Sequence, residues 1–115
     1  MISIVGIGNA ASSIVENFKT QKNNYKVYQL GSNQKNTKYT KKLKNFDNPE
    51  DYEKNIPNLS KFFCDINENV QVFVVGSSYS SNYTLGILEQ IQHKNLEVFY
   101  VRPDVDLLTG VPKLL

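Results

Sequence analysis

Residues 1–11, MISIVGIGNAA, lead from a short apolar strand through a turn with two glycines into the start of a helix. The apolar residues Ala11, Ile14, Val15 and Phe18 then recur at the spacing that is typical of one helix face. Glycine lets the backbone approach a ligand closely, and a helix N-terminus offers N–H groups and the positive end of the helix dipole. This strand, turn and helix therefore predict a site for the phosphate groups of a nucleotide.

The composition is that of one small globular domain. The 115 residues suffice for a single core, and the fractions of hydrophobic (40%) and charged (21%) residues are ordinary. A net charge of +2 is too small to indicate a specific nucleic-acid partner. Cys64 is the only cysteine, so we expect no internal disulfide, a reducing compartment and a thiol that faces the core. No apolar run approaches the roughly 18 to 20 residues of a membrane span. We therefore expect a single cytoplasmic domain over residues 1–115 with no membrane span.

Strands and helices are predicted to alternate along the rest of the chain. Three segments rich in β-branched and aromatic residues predict further strands: 25–30, 70–75 and 96–101. Three segments with helical spacing or a helix-start pattern predict helices: 49–56, 59–66 and 84–93. Residues 31–48 are rich in lysine and asparagine without periodicity and predict a long, solvated loop.

This order of elements predicts an α/β, three-layer, Rossmann-like domain. We expect a small parallel sheet with strand order 3-2-1-4-5, or a shortened version of it, and helices on both faces. Such sheets bind ligands at the carboxyl ends of their strands, where the strand order reverses. The turn around Gly8 and the loop after residue 75 should therefore open on the same edge.

The sequence around the first turn resembles a known family. Residues 4–17, IVGIGNAASSIVEN, resemble the opening of the bacterial tubulin homologue FtsZ and its viral relatives, in which a G-x-G-N-A-G-like turn holds the nucleotide phosphates. Residues 72–76, 85–91 and 98–103 are similar to that family's fourth strand, the helix after it and the next strand. The resemblance implies the N-terminal, GTP-binding half of a cytoskeletal protein that forms filaments.

The resemblance also implies which residues contact the nucleotide. The implied cofactor is GTP, with or without Mg²⁺. The phosphates would be lined by residues of the first turn and of a second loop: Gly6, Gly8, Asn9, Ala10, Gly76, Ser77, Ser78, Ser80 and Ser81. The family's second loop is nearly all glycine and threonine, whereas only Gly76 is clearly retained here, and residues other than glycine resist positive φ.

The resemblance does not imply catalysis by this chain alone. In the family, contacts to the base come from a later helix, and hydrolysis uses an acidic loop of the next subunit. The chain would be a GTPase only if further chain and a neighbouring subunit completed it, so no catalytic residue and no metal ligand is assigned.

Two other interpretations stay open. The chain could be a ligand-free interaction module on a degenerate nucleotide-binding fold, with a partner or a second copy covering its C-terminal apolar residues: Val105, Leu107, Leu108, Val111, Leu114 and Leu115. It could instead be an NAD(P)-binding domain, because G-x-G-x-x-A fits that fingerprint. However, Leu30 is followed by Gly-Ser-Asn-Gln and not by the acid that would bind the ribose.

Several candidate residues also have a purely structural interpretation. Gly6 and Gly8 could form a tight turn that binds nothing, and Asn9 could cap the helix. Ser12 and Ser13 are expected to be solvated residues of the first helical turn.

Overall fold

The computed structural model describes residues 2–20, 25–75, 83–105 and 112–114. Its first half contains β1 (Ile2–Ile7), α1 (Asn9–Val15), a 3-10 helix (Glu16–Thr20), β2 (Lys26–Gly31) and β3 (Thr40–Lys42). Its second half contains α2 (Pro49–Lys54), β4 (Asn69–Val75), α3 (Thr84–Glu89), β5 (Asn95–Val105) and β6 (Pro112–Leu114). No helix in these ranges is long and apolar enough to cross a membrane.

The strands form one sheet in the order β3-β2-β1-β4-β5-β6. The first five strands are parallel, whereas β6 is antiparallel to β5. The predicted α/β fold with parallel strand order 3-2-1-4-5 is therefore confirmed. Because β1 pairs with β2 on one side and with β4 on the other, the strand order reverses at β1.

Apolar side chains are buried on both faces of β1, as expected for a strand between two helical layers. On one face, Ile4 packs with Val15 of α1 and Val27 of β2. On the other face, Val5 belongs to a larger cluster that includes Ile87 of α3. Successive residues of a strand point to opposite faces, so this single strand anchors both layers.

Three local predictions are wrong. Residues 40–42, expected in a loop, form β3, which pairs with β2 from Gln29↔Thr40 to Gly31↔Lys42. Residues 59–66 form turns instead of the predicted helix. The Phe63 N–H donates to the Leu59 carbonyl at i+4 spacing, whereas the Ile66 N–H donates to the Phe63 carbonyl at i+3 spacing. Helix α3 ends at Glu89 instead of residue 93.

Cys64 is exposed, contrary to the prediction that its thiol faces the core. Its neighbours Phe63 and Ile66 are buried instead. The buried positions of this segment are 59, 63 and 66, so proximity to these residues in the sequence does not make Cys64 core-facing.

Candidate functional site at the first strand–helix turn

Gly8 gives the first turn its shape. It is the N-cap of α1 and has φ 97° and ψ 164°, a conformation that only glycine adopts without strain. Its own N–H donates a 2.7 Å hydrogen bond to the carbonyl oxygen of Leu30 at the end of β2. The turn is thus fixed against the neighbouring strand, and this N–H is not available to a ligand.

Gly6 serves the packing of the helix on the strand. A Cβ atom at Gly6 would lie 2.8 Å from Cγ2 of Val15 and 2.9 Å from the carbonyl oxygen of Ala11. These distances are shorter than real Cβ contacts, so α1 can approach β1 this closely only over a glycine. The structure therefore explains Gly6 without a ligand.

The side chain of Asn9 connects the first turn to the loop after β2. Its Nδ2 donates to Ser32 Oγ at 2.7 Å, and its Oδ1 accepts from the backbone N–H of Asn33 at 3.0 Å. Because Gly8 is the N-cap and α1 has no side-chain cap bond, the interpretation of Asn9 as a helix cap is wrong. The amide holds two loops together at the edge where a phosphate would lie.

The first turn of α1 leaves backbone N–H groups without an acceptor in the helix. The first hydrogen bond of the helix runs from Ser12 N–H to the Gly8 carbonyl oxygen at 2.9 Å. The N–H groups of Asn9, Ala10 and Ala11 therefore have no acceptor within the helix. Ala10 is exposed, so this end of α1 is open to solvent.

The two serines of α1 differ in their surroundings. Ser12 is 1% exposed, and its Oγ donates to the carbonyl oxygen of Leu30 at 2.9 Å. The prediction that Ser12 is solvated is therefore wrong. Ser13 is exposed, as predicted, and its Oγ donates to the carbonyl oxygen of Asn9 at 3.1 Å.

The second predicted phosphate loop begins beside the first. Strand β4 ends at Val75, and Val74 pairs with Ile7 of β1, so the chain leaves β4 next to the turn at Gly8. The candidate residues of that loop lie outside the described residues: Gly76, Ser77, Ser78, Ser80 and Ser81. The described part of the site is thus the β1–α1 turn with Gly6, Gly8, Asn9 and Ala10.

A buried polar residue behind the turn was missed by the sequence analysis. Gln29 is 3% exposed, and its Nε2 donates to the Ser12 carbonyl oxygen at 2.8 Å and to the Glu16 carboxylate. This hydrogen bond, followed by one from Lys19, holds the pKa of Glu16 below its ordinary value. A glutamine between the apolar residues of a predicted strand was the available signal. Gln29 fixes the helix but does not face the open edge.

The described residues hold no cluster of side chains that could bind a metal ion. Beyond β2, the first residues are Ser32 and Asn33, and both are hydrogen-bonded to Asn9. The described part of the site is therefore neutral, and it offers backbone N–H groups and small side chains.

Comparison of the chain with protein-family models, with curated proteins and with solved structures found no match.

Proposed function

We propose that this chain is the N-terminal nucleotide-binding segment of a tubulin/FtsZ-like protein and that its ligand is GTP. The observation that carries the proposal is the positive-φ turn at Gly8, which lies where the strand order reverses and exposes the first turn of α1 at Ala10. Parallel α/β sheets bind their ligands at this position.

Each residue of the turn has a separate role in this proposal. Gly8 gives the backbone a path that a side chain would strain, and the N–H groups of Asn9 and Ala10 donate to phosphate oxygens. The amide of Asn9 keeps the turn at a fixed distance from the loop after β2. Gly76 and the four serines of the second loop stay candidates for the remaining phosphate contacts.

We propose GTP instead of NAD(P) as the ligand because of the residues in the loop after β2. A dinucleotide site needs a carboxylate there for the ribose hydroxyls, and Ser32 and Asn33 occupy this position. We further propose that the protein is cytoplasmic and assembles into filaments. Hydrolysis would need further chain and a neighbouring subunit. Of the C-terminal apolar residues, Val105 lies in β5 and Leu114 in β6, and the other four lie outside the described residues. Self-association or a partner would cover these apolar residues.

One observation favours a second candidate function, a ligand-free interaction module on the same fold. The Gly8 N–H and both polar groups of the Asn9 amide are satisfied within the protein. A turn that has lost its ligand could retain these bonds, because they stabilise the fold by themselves.

Calorimetric titration with GTP-Mg, ATP-Mg and NAD tests the proposal. The informative variant is Ala10→Glu, since Ala10 is exposed and an acid in the first turn suits the helix dipole, so the fold is retained. A carboxylate here would repel phosphate and weaken GTP binding by at least about tenfold. Gly8→Val is less informative, because it strains the backbone whether or not a nucleotide binds.

The matched control is Gln92→Glu, which adds the same charge at an exposed residue shortly before the amino end of β5. GTP binding that Ala10→Glu removes and Gln92→Glu retains would support the phosphate site. If none of the three ligands binds the unaltered chain, the interaction module is the better description. If Ala10→Glu and Gln92→Glu bind GTP with equal affinity, the nucleotide does not bind at the β1–α1 turn.

A further inference from the structure

A cavity beside β2 and β3 is separate from the turn at Gly8. It has a volume of about 280 Å³ and lies between residues 36–41, which lead into β3, and residues 61–65, which precede β4. None of the residues that line the cavity belongs to the β1–α1 turn. The two sites are therefore separate.

Tyr28 forms the floor of this cavity. It lines the cavity and is only 1% exposed, whereas the other lining residues are exposed or half-buried. The rings of Tyr39 and Phe62, which also line the cavity, contact the Tyr28 ring edge to face, with centroids 5.4 Å away in both cases. The rings of Tyr39 and Phe62, held in place by their packing on Tyr28, thus give the cavity surfaces suited to a flat, apolar group.

The hydroxyl of Tyr28 has no partner in the described part of the chain. Its oxygen is buried and makes no hydrogen bond there. Burial, and after it the neighbouring Tyr39, raises the pKa of Tyr28 to about 12, so at neutral pH the hydroxyl is protonated and can donate. A buried donor without an acceptor is unfavourable. A ligand acceptor that enters the cavity would satisfy it once the side chains that cover the hydroxyl move aside.

The charge around the cavity is positive. Lys38, Lys41 and Lys61 line it, and Asp65 is the one acid among the lining residues. The ion pairs found among the described residues, Glu16–Lys19 and Glu68–Lys94, include none of these lysines. Three ammonium groups around an aromatic floor favour an anion over a cation.

We propose that this cavity binds a planar organic anion, an aromatic ring that carries a carboxylate or phosphate group. The ring packs against Tyr39 and Phe62, the anionic group faces the lysines, and the Tyr28 hydroxyl donates to a ligand oxygen. The volume suits one ring with one anionic group, because it lies just below the roughly 300 to 1,000 Å³ of ligand pockets.

Benzoate and phenyl phosphate are the probes for a first test, with benzyl alcohol as the neutral ring and inorganic phosphate as the anion without a ring. Amide NMR shifts locate binding. We expect both ring anions to shift residues 37–41 and 61–65, and both control molecules to bind at least about tenfold more weakly. No binding of either ring anion at millimolar concentration, or shifts only around Gly8, would overturn the proposal.

Tyr28→Phe tests the role of the hydroxyl. It removes one oxygen that has no partner in the described protein, so the thermal midpoint should be unchanged or higher. Loss of one hydrogen bond to the ligand should weaken binding of the probes by about threefold to tenfold. Tyr100→Phe, at an exposed tyrosine outside the cavity, is the control and should leave affinity unchanged. Unchanged affinity in Tyr28→Phe would refute the assigned contact.

Two further measurements separate this site from the nucleotide site. Lys61→Gln should weaken binding of the probes, whereas Lys54→Gln, at an exposed lysine outside the cavity, should not. Cys64 also lines the cavity and is exposed, so a bound probe should slow its alkylation by iodoacetamide. Ala10→Glu should leave both results unchanged. A probe that protects Cys64 as strongly in Tyr28→Phe and in Lys61→Gln as in the unaltered protein would contradict the proposal.

Discussion

The side chain of Asn9 occupies the space that a Cβ atom on Gly31 would need. Such a Cβ would overlap Asn9 Oδ1 and lie 3.0 Å from the Asn9 backbone nitrogen. The glycine at the end of β2 is therefore required by the start of α1, and the two loops at the proposed phosphate edge depend on each other.

Gly31→Ala should lower the free energy of unfolding by about 1 to 3 kcal/mol, because overpacking forces both loops apart. Chemical denaturation measures this loss. In an Asn9→Ala background the overlap with Oδ1 is absent, so the same change should be less costly. Equal losses in both backgrounds would show that the two side-chain positions are independent.

Ser12 and Ser13 provide a matched pair for the contribution of a buried hydroxyl. Ser12→Ala removes a buried bond to the Leu30 carbonyl and should lower the free energy of unfolding by about 0.5 to 1.5 kcal/mol. Ser13→Ala removes an exposed bond to the Asn9 carbonyl and should change it by less than about 0.5 kcal/mol. Thermal or urea unfolding shows which variant loses more free energy of unfolding. A larger loss of this free energy in Ser13→Ala than in Ser12→Ala would be inconsistent with the structure.

Thr84 carries a buried hydroxyl that has no hydrogen-bond partner among the described residues. Thr84→Val keeps the shape and removes this unpaired group, so it should raise the free energy of unfolding by about 1 kcal/mol. Thr40→Val is the control, because Thr40 Oγ1 donates to the Lys35 carbonyl at 2.6 Å, and its loss should destabilise the fold. A destabilised Thr84→Val variant would mean that the hydroxyl does have a partner in solution.

Glu16 should make stability depend on pH in the acid range. Its pKa is lowered from 4.5 in the folded protein, first by the hydrogen bond from Gln29 and then by Lys19. A lowered pKa stabilises the fold above about pH 4.5, and this contribution is lost as the pH falls through the folded pKa. The stability difference between the unaltered protein and Glu16→Gln should therefore shrink on acidification.

The control for this pH dependence compares Gln29→Ala with the double variant Gln29→Ala/Glu16→Gln. The bond that contributes most to the lowered pKa is absent there, so the acid-dependent difference should be smaller. Urea unfolding at a series of pH values between neutral and acid gives both differences. An undiminished acid-dependent difference without Gln29 would assign the effect to Lys19.

The strand order could be predicted from the sequence because apolar runs and turn residues mark β1, β2, β4 and β5. Strand β3 could not, since Thr40, Lys41 and Lys42 are polar and the strand is defined by its backbone pairing with β2. The helix expected over residues 59–66 was wrong for a related reason. The apolar spacing predicted a helix, but a series of turns buries Leu59, Phe63 and Ile66 in its place.

The first turn could be predicted in position but not in detail. The sequence indicated a glycine turn before α1. It does not show that Gly6 is needed for the close contact with α1 or that Gly8 is needed for its positive φ, because both depend on the folded backbone. The cavity over Tyr28 could not be predicted at all. Its lysines and aromatic rings come from segments that are distant in sequence and meet only in the folded sheet.

The central position of β1 also affects how the protein can fold during synthesis. Ile2 pairs with Asn69, which the ribosome adds 67 residues later. At about 5 to 20 residues per second, this interval is roughly 3 to 13 s. Until β4 emerges, one side of β1 is an unpaired apolar edge, and such edges are sites of aggregation. We expect nascent chains that end before residue 69 to be the form of this protein most dependent on chaperones.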